Sequence, residues 1–251
     1  MTPTIHIPNT GHPWSTVYAV AAANISESWL LTGGLMVQLH AIMGGLTARP
    51  TTDADLLADL MTDRRGIARL RGVLAARGFE TQPGTLTGYT TRMSAPNGDV
   101  VDLLVADHLP KFLGTDATIA GAPVLSMPGG AQAVERSMQV RLIDDQSGTE
   151  VTIRIPDLLG ALILKSAAYG ADHAGYGDRH LYDAATLASL IPDPDAELAR
   201  LHSGTDRKRI KLLRARGRTA DRPAPHEPSD NQTFKQAGIQ AIRQADNQAT
   251  D

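Results

Sequence analysis

There is no cysteine in this chain. Its absence excludes disulfides, thiol nucleophiles and cysteine-ligated zinc, and it fits a reducing compartment. An excess of positive charge is also missing. The formal net charge is −3 and the pI about 6.2, so a surface for nucleic acid would have to be local. No apolar run has the length of a membrane span: the longest, near Trp29 to Met43, is broken by Gln38 and His40 and punctuated by glycine. The opening stretch, Met1 to Pro13, lacks a basic region followed by an apolar one, so no secretory signal is read there. No internal repeat is found. These absences lead to the expectation of a cytoplasmic protein with no membrane partner. With 251 residues, one or two domains with a substantial core are expected.

What is present concentrates between Thr32 and Leu56. The apolar run Trp29-Leu30-Leu31 ends at Gly33-Gly34, and a helical pattern follows (Leu35, Met36, Leu39, Ile42, Met43). That reads as strand, glycine turn and helix. A glycine pair lets backbone N–H groups approach a phosphate, and the helix N-terminus favours negative charge. Further on stands Asp53-Ala54-Asp55. In a strand, side chains two apart share a face, so both carboxylates point the same way. They repel unless a cation lies between them, which suits Mg²⁺. A third carboxylate, Asp102, sits inside the apolar strand pattern Val100 to Val105, where an unpaired charge would be costly. Each signal has a bland counterpart: a Gly-Gly pair is often only a turn, and an Asp-x-Asp a solvated edge. Their order is what raises them. A phosphate cradle with clustered carboxylates is what metal-assisted phosphoryl or nucleotidyl transfer requires.

The succession of Gly-Gly, helix, Arg49-x-Thr51-x-Asp53-x-Asp55, helix, and strand with Asp102 resembles the DNA polymerase β-type nucleotidyltransferase superfamily. Within it, His40, Arg49, Thr51, Asp53 and Asp55 resemble the AbiEii-like (MenT-like) nucleotidyltransferase toxins of bacterial toxin–antitoxin systems. The likeness covers about Trp29 to Leu190. It implies an α/β fold, a polymerase β-type core with a mixed sheet and a helical C-terminal part. It also implies Mg²⁺ and a nucleoside triphosphate substrate. A lysine-bearing helix, then a basic residue, then an aspartate on the next helix is the second region of that family. Lys165, Arg179 and Asp183 match it, although Arg179-His180 stands where the family often has Lys-Asp, so no role is carried over to His180.

The resemblance therefore implies Asp53, Asp55 and Asp102 as metal ligands. Asp53, Asp55, Asp102, Lys165 and Asp183 would be the catalytic residues. Gly33, Gly34, Arg49, Thr51, Lys165 and Arg179 would bind the nucleotide. Asp102 is also the candidate proton acceptor for the attacking hydroxyl, and Lys165 the charge that neutralises triphosphate. From composition alone Lys165 is equally a snorkelling residue ending an apolar helix. Arg92 either balances the carboxylates or touches phosphate, and His40 reads as a packed core histidine. The implied acceptor is RNA, the tRNA 3′ end, and the implied partner a cognate antitoxin protein. Two rivals use the same residues: a small-molecule, antibiotic-modifying transferase, and a catalytically silent nucleotide- or RNA-binding module.

Along the rest of the chain, Met1 to Pro13 reads as an irregular lead-in and Ser15 to Ala23 as a short helix. Gly66 to Arg77 is a helix ended by Gly78, its arginines (Arg64, Arg65, Arg69, Arg71, Arg77) on a solvated face. Asn97-Gly98 marks a hairpin. Gln139 to Ile143 and Glu150 to Ile155 read as strands, and Pro156 as a helix start. The expected organisation is a core over 14–155, a helical region over 156–202 that completes the site, and a basic then polar, flexible tail over 203–251.

Overall fold

The computed structural model describes residues 2–8, 11–23, 25–82, 89, 91–114, 118–119, 122–171, 177–201 and 204–217. In chain order the elements are β1 (Thr4–Ile7), α1 (Trp14–Ala22), β2 (Trp29–Thr32), α2 (Gly33–Met43), β3 (Asp53–Ala58), α3 (Gly66–Ala75), β4 (Glu80–Thr81), β5 (Arg92–Ser94) and β6 (Val100–Ala106). Then come α4 (Lys111–Gly114), β7 (Thr118–Ile119), β8 (Ala122–Pro123), β9 (Ser126–Met127), α5 (Gly130–Glu135), β10 (Ser137–Asp144), β11 (Glu150–Pro156), α6 (Leu158–Ala171), α7 (Gly177–Ser189), α8 (Pro194–Ala199) and α9 (Gly204–Gly217). The fold is α/β, with mixed sheets and a helical C-terminal part. No helix among the described residues is long and apolar enough to cross a membrane.

The strand order of the central sheet is β2-β3-β6-β5-β4, with β9 alongside β6. β2 runs antiparallel to β3, β3 parallel to β6, and β6 antiparallel to β5. All four β2 residues are buried, as an apolar strand covered on both faces should be. The β5–β6 hairpin closes through the expected turn: Gly98 adopts φ +90° and its N–H donates to the Ala95 carbonyl at 2.9 Å. α3 ends at Gly78 with φ +83°, as a left-handed C′ glycine does.

A second sheet has the order β1-β10-β11. Here the N-terminal lead-in departs from expectation, because Thr4–Ile7 pairs in parallel with Arg141–Asp144. Four residues with Ile5 and Ile7 inward carry too little pattern to read alone, and the strand exists through its partner. α5 is a second departure. Its start is capped from a distance: Asp107 accepts N–H bonds from Gly129 at 2.7 Å and Ala131 at 2.9 Å. Pro156 closes β11 rather than opening α6. Asp157 makes the cap, accepting from the Gly160 N–H at 2.9 Å.

One apolar cluster reaches from Ile5 through the central sheet to Leu213 of α9. The first part of the segment expected to be a loose tail is thus a packed helix, with Asp206 and Leu213 each 1% exposed. Arg209 ties it down through an ion pair to Asp107 at 3.3 Å, and the Ser166 hydroxyl donates to the Arg209 carbonyl. Residues 218–251, which hold the rest of that segment, lie outside the described residues.

Candidate active site

The site begins with register. Asp55 of β3 lies directly opposite Asp102 of β6, and Asp53 stands two residues before Asp55 on the same face. Ligand oxygens of the three carboxylates lie within 4.8 Å of one another. They are hard oxygen donors at a spacing one divalent cation can bridge. The Thr51 hydroxyl donates to Asp53 Oδ1 and fixes that carboxylate. Burial first, then the Asp53 and Asp102 charges, push the Asp55 carboxyl up to about 6; Lys165 and Arg179 pull in the opposite direction. Asp55 stays raised although Lys165 and Arg179 act on it, so a cation bound among the three oxygens would relieve the repulsion that remains.

The glycine turn abuts this cluster. Gly33 adopts φ +66°, and a Cβ placed on it would lie 1.6 Å from Asp55 Oδ2. A Cβ on Gly34 would meet Thr51 Cβ at 2.8 Å. Glycine at both positions is what lets the first turn of α2 sit against the carboxylates. No side chain caps this helix start, and Gly33 and Gly34 line the same cleft as the carboxylates.

The opposite wall is basic. Asp183 of α7 is 0% exposed and holds two cations: Arg49 donates through Nε at 2.9 Å and a terminal nitrogen at 3.1 Å, and Lys165 Nζ lies 2.7 Å away. Lys165 is 5% exposed, so it does not snorkel to water. Gln38 of α2 steadies the Arg49 backbone, its amide donating to the Arg49 carbonyl at 3.1 Å. Arg92 forks onto Asp102, Nε at 3.0 Å and a terminal nitrogen at 2.8 Å. Four carboxylates (Asp53, Asp55, Asp102, Asp183) are thus matched by four cations (Arg49, Arg92, Lys165, Arg179).

These groups frame a cleft of about 220 Å³. Gly33, Gly34, Arg49, Thr51, Asp53, Asp55, Asp102, Lys165 and Arg179 all line it, as does Arg92. Asp183, expected among the catalytic residues, lies behind the wall: without exposed surface it cannot touch a ligand, and it orients Lys165 and Arg49. His40 lies away from the cleft, 3% exposed, with Nε2 2.8 Å from the Pro156 carbonyl. Burial lowers its pKa, so the neutral ring donates that bond and packs as a core histidine. Sequence reading missed Met127, Pro128, Leu164 and Ala168, which form an apolar part of the lining, and gave His180 no role although it lines the cleft too. Helical spacing offered a signal for Ala168, three residues after Lys165, and through it for Leu164, four residues before Ala168. Nothing in the sequence pointed to Met127-Pro128, which arrive from β9.

Fold and site together define an α/β protein whose mixed sheet carries a three-carboxylate centre beneath a glycine turn. No family model matches the chain, and no curated protein matches it. Among solved structures it is similar to an antigenic nucleotidyltransferase-like protein from Paracoccidioides brasiliensis. The identity is 19%, with 88% of this chain and 91% of that one covered, at a TM-score of 0.46.

Proposed function

We propose that this protein is a Mg²⁺-dependent nucleotidyltransferase that moves a nucleotide from a nucleoside triphosphate to an RNA acceptor. The observation that carries this reading is the carboxylate triad of Asp53, Asp55 and Asp102 set against the Gly33-Gly34 turn. The donor set fits Mg²⁺, which when bound would neutralise charge on the attacking and leaving oxygens. The amides that open α2 receive phosphate. Lys165 and Arg49, held by Asp183, face the triphosphate and stabilise charge that builds on it. Because the cleft's own charges already balance, a triphosphate needs the metal's charge to enter it. A carboxylate oxygen of Asp102 accepts the proton of the attacking hydroxyl. The bond formed joins that oxygen to the α-phosphorus, and pyrophosphate leaves.

RNA, and the tRNA 3′ end in particular, is proposed as acceptor on two supports. The first is the sequence resemblance to nucleotidyltransferase toxins, which also suggests a toxin role and an antitoxin partner. The second is α9, where Arg207, Lys208 and Lys211 are exposed. Its Arg209 lies against Gly129, next to Pro128 of the cleft lining. A cationic helix beside the cleft suits a phosphate backbone better than a small sugar.

The test is incubation with each labelled nucleoside triphosphate, Mg²⁺ and total bacterial RNA, followed by a gel. Label in the tRNA band, absent with Asp53→Asn, is the expected result. Label on an aminoglycoside and on no RNA would replace this reading by the small-molecule one. Bound nucleotide without pyrophosphate release would make the protein a silent binding module.

A further inference from the structure

Two of the arginines that line the cleft are held differently. Arg49 is fixed by Asp183, a carboxylate with no exposed surface that also binds Lys165. Arg92 is bound to a member of the metal triad itself, and both oxygens of Asp102 are engaged by its fork. The contact is built into the sheet, since Arg92 of β5 is the register partner of Asp102 on β6. A divalent cation at the triad needs one of those same oxygens. A guanidinium and a metal ion cannot both hold them at full strength.

Which partner moves is set by exposure. The Arg92 side chain is 53% exposed and Asp102 15%, so the guanidinium can swing while the carboxylate stays. It would swing within the cleft, which Arg92 lines together with Gly33 and Gly34. A planar fork released there matches phosphate oxygens as well as it matched the carboxylate.

We propose that Arg92 is an exchangeable counter-cation: it competes with the metal for Asp102 and, once displaced, binds the phosphates of the nucleotide. This rests on the triad being a metal site, as argued above. It makes metal and nucleotide binding mutually reinforcing, because each gives Arg92 a reason to leave or a place to go. Arg92 would therefore weaken metal binding alone and strengthen nucleotide binding with metal.

Mn²⁺ is the probe, titrated by electron paramagnetic resonance without nucleotide into the full chain, Arg92→Gln, Arg92→Lys and Asp53→Asn. A charge-assisted hydrogen bond at a partly exposed site contributes only a few-fold to an equilibrium, of order ten at most. Arg92→Gln should accordingly bind Mn²⁺ about three- to tenfold more tightly, by that same principle. Arg92→Lys, which keeps the charge but loses the fork, should fall between. In a second arm, with Mn²⁺ and a triphosphate analogue bridged by methylene between the α and β phosphorus atoms, Arg92→Gln should bind the analogue more weakly than the parent chain. Unchanged Mn²⁺ affinity in Arg92→Gln, with a lower melting temperature, would make Arg92 a structural staple and overturn the proposal while leaving the transferase reading intact. Failure of the parent chain to bind Mn²⁺, or equal binding by Asp53→Asn, would overturn both.

Discussion

Asp55 is half-buried beside two other carboxylates, and its pH behaviour follows from that. Its carboxyl titrates at about 6 in the folded chain against 3.8 ordinarily. Below 3.8 it is neutral in both folded and unfolded chains and costs nothing. As pH rises toward 6 the unfolded chain gives up the proton first, so the fold loses stability through that window, and above 6 the loss is complete. Asp55→Asn should therefore raise the melting temperature in EDTA at pH 8, by an amount that shrinks toward nothing near pH 4, and should abolish transfer. A shift of equal size at both pH values, followed by scanning fluorimetry, would show that charge is not the cause. Asp183 makes the opposite case. Its removal leaves Arg49 and Lys165 facing each other without an anion, and losing one partner of a buried pair costs about 3–5 kcal/mol. Lys165→Met leaves Asp183 still forked by Arg49, so it should cost less stability but slow transfer by about 10²–10³. Urea denaturation beside a rate measurement separates them: a Lys165→Met chain as unstable as Asp183→Ala but fully active would make the lysine structural only.

The elements decide which of these side chains meet. β3 and β6 run parallel in a register that sets Asp55 against Asp102, and a slip of one residue would turn one of them to the other face. The turn between β2 and α2 is equally exacting. Gly33→Ala adds one methyl at a φ of +66° and 1.6 Å from Asp55 Oδ2, so it must displace the carboxylate or the turn. Gly33→Ala should lose Mn²⁺ binding with all three ligands still present, which titration of the purified variant checks. Unchanged affinity would mean that the turn plays no part in shaping the site. At this scale the sequence was informative where a signal was local. The hairpin at Asn97-Gly98, the helix stop at Gly78 and the strand–glycine–helix unit all come from residues next to one another. β1 and α5 were not legible, since each rests on a partner far along the chain: Thr4–Ile7 on Arg141–Asp144, and α5 on Asp107.

For the whole molecule the question is how α9 belongs to it. Leu213 sits in the main apolar cluster and Arg209 is paired to Asp107, so deleting everything after Ser203 would test packing as much as RNA contact. Charge reversal on the exposed face is the cleaner change. Lys208→Glu with Lys211→Glu should leave the melting temperature within about 2–4 degrees, since exposed substitutions rarely exceed ~0.5 kcal/mol each, while lowering RNA labelling and flattening its salt dependence. Labelling equal to the parent chain at every salt concentration would remove α9 from the RNA surface. The sequence by itself determined the chemistry available: no thiols, a glycine pair, carboxylates spaced to share a strand face, and a lysine at the end of an apolar helical run. These are properties of residue type and short-range periodicity, which a chain carries before it folds. Only the tertiary structure decided who holds whom. It put Asp183 behind the wall as an anchor for Lys165 and Arg49, gave Arg92 to Asp102, brought Met127-Pro128 into the lining, and made the start of the basic segment a packed helix. Those pairings join residues from 10 to 134 positions apart, and burial, which sets their charge states and strengths, exists only once the layers have closed on one another.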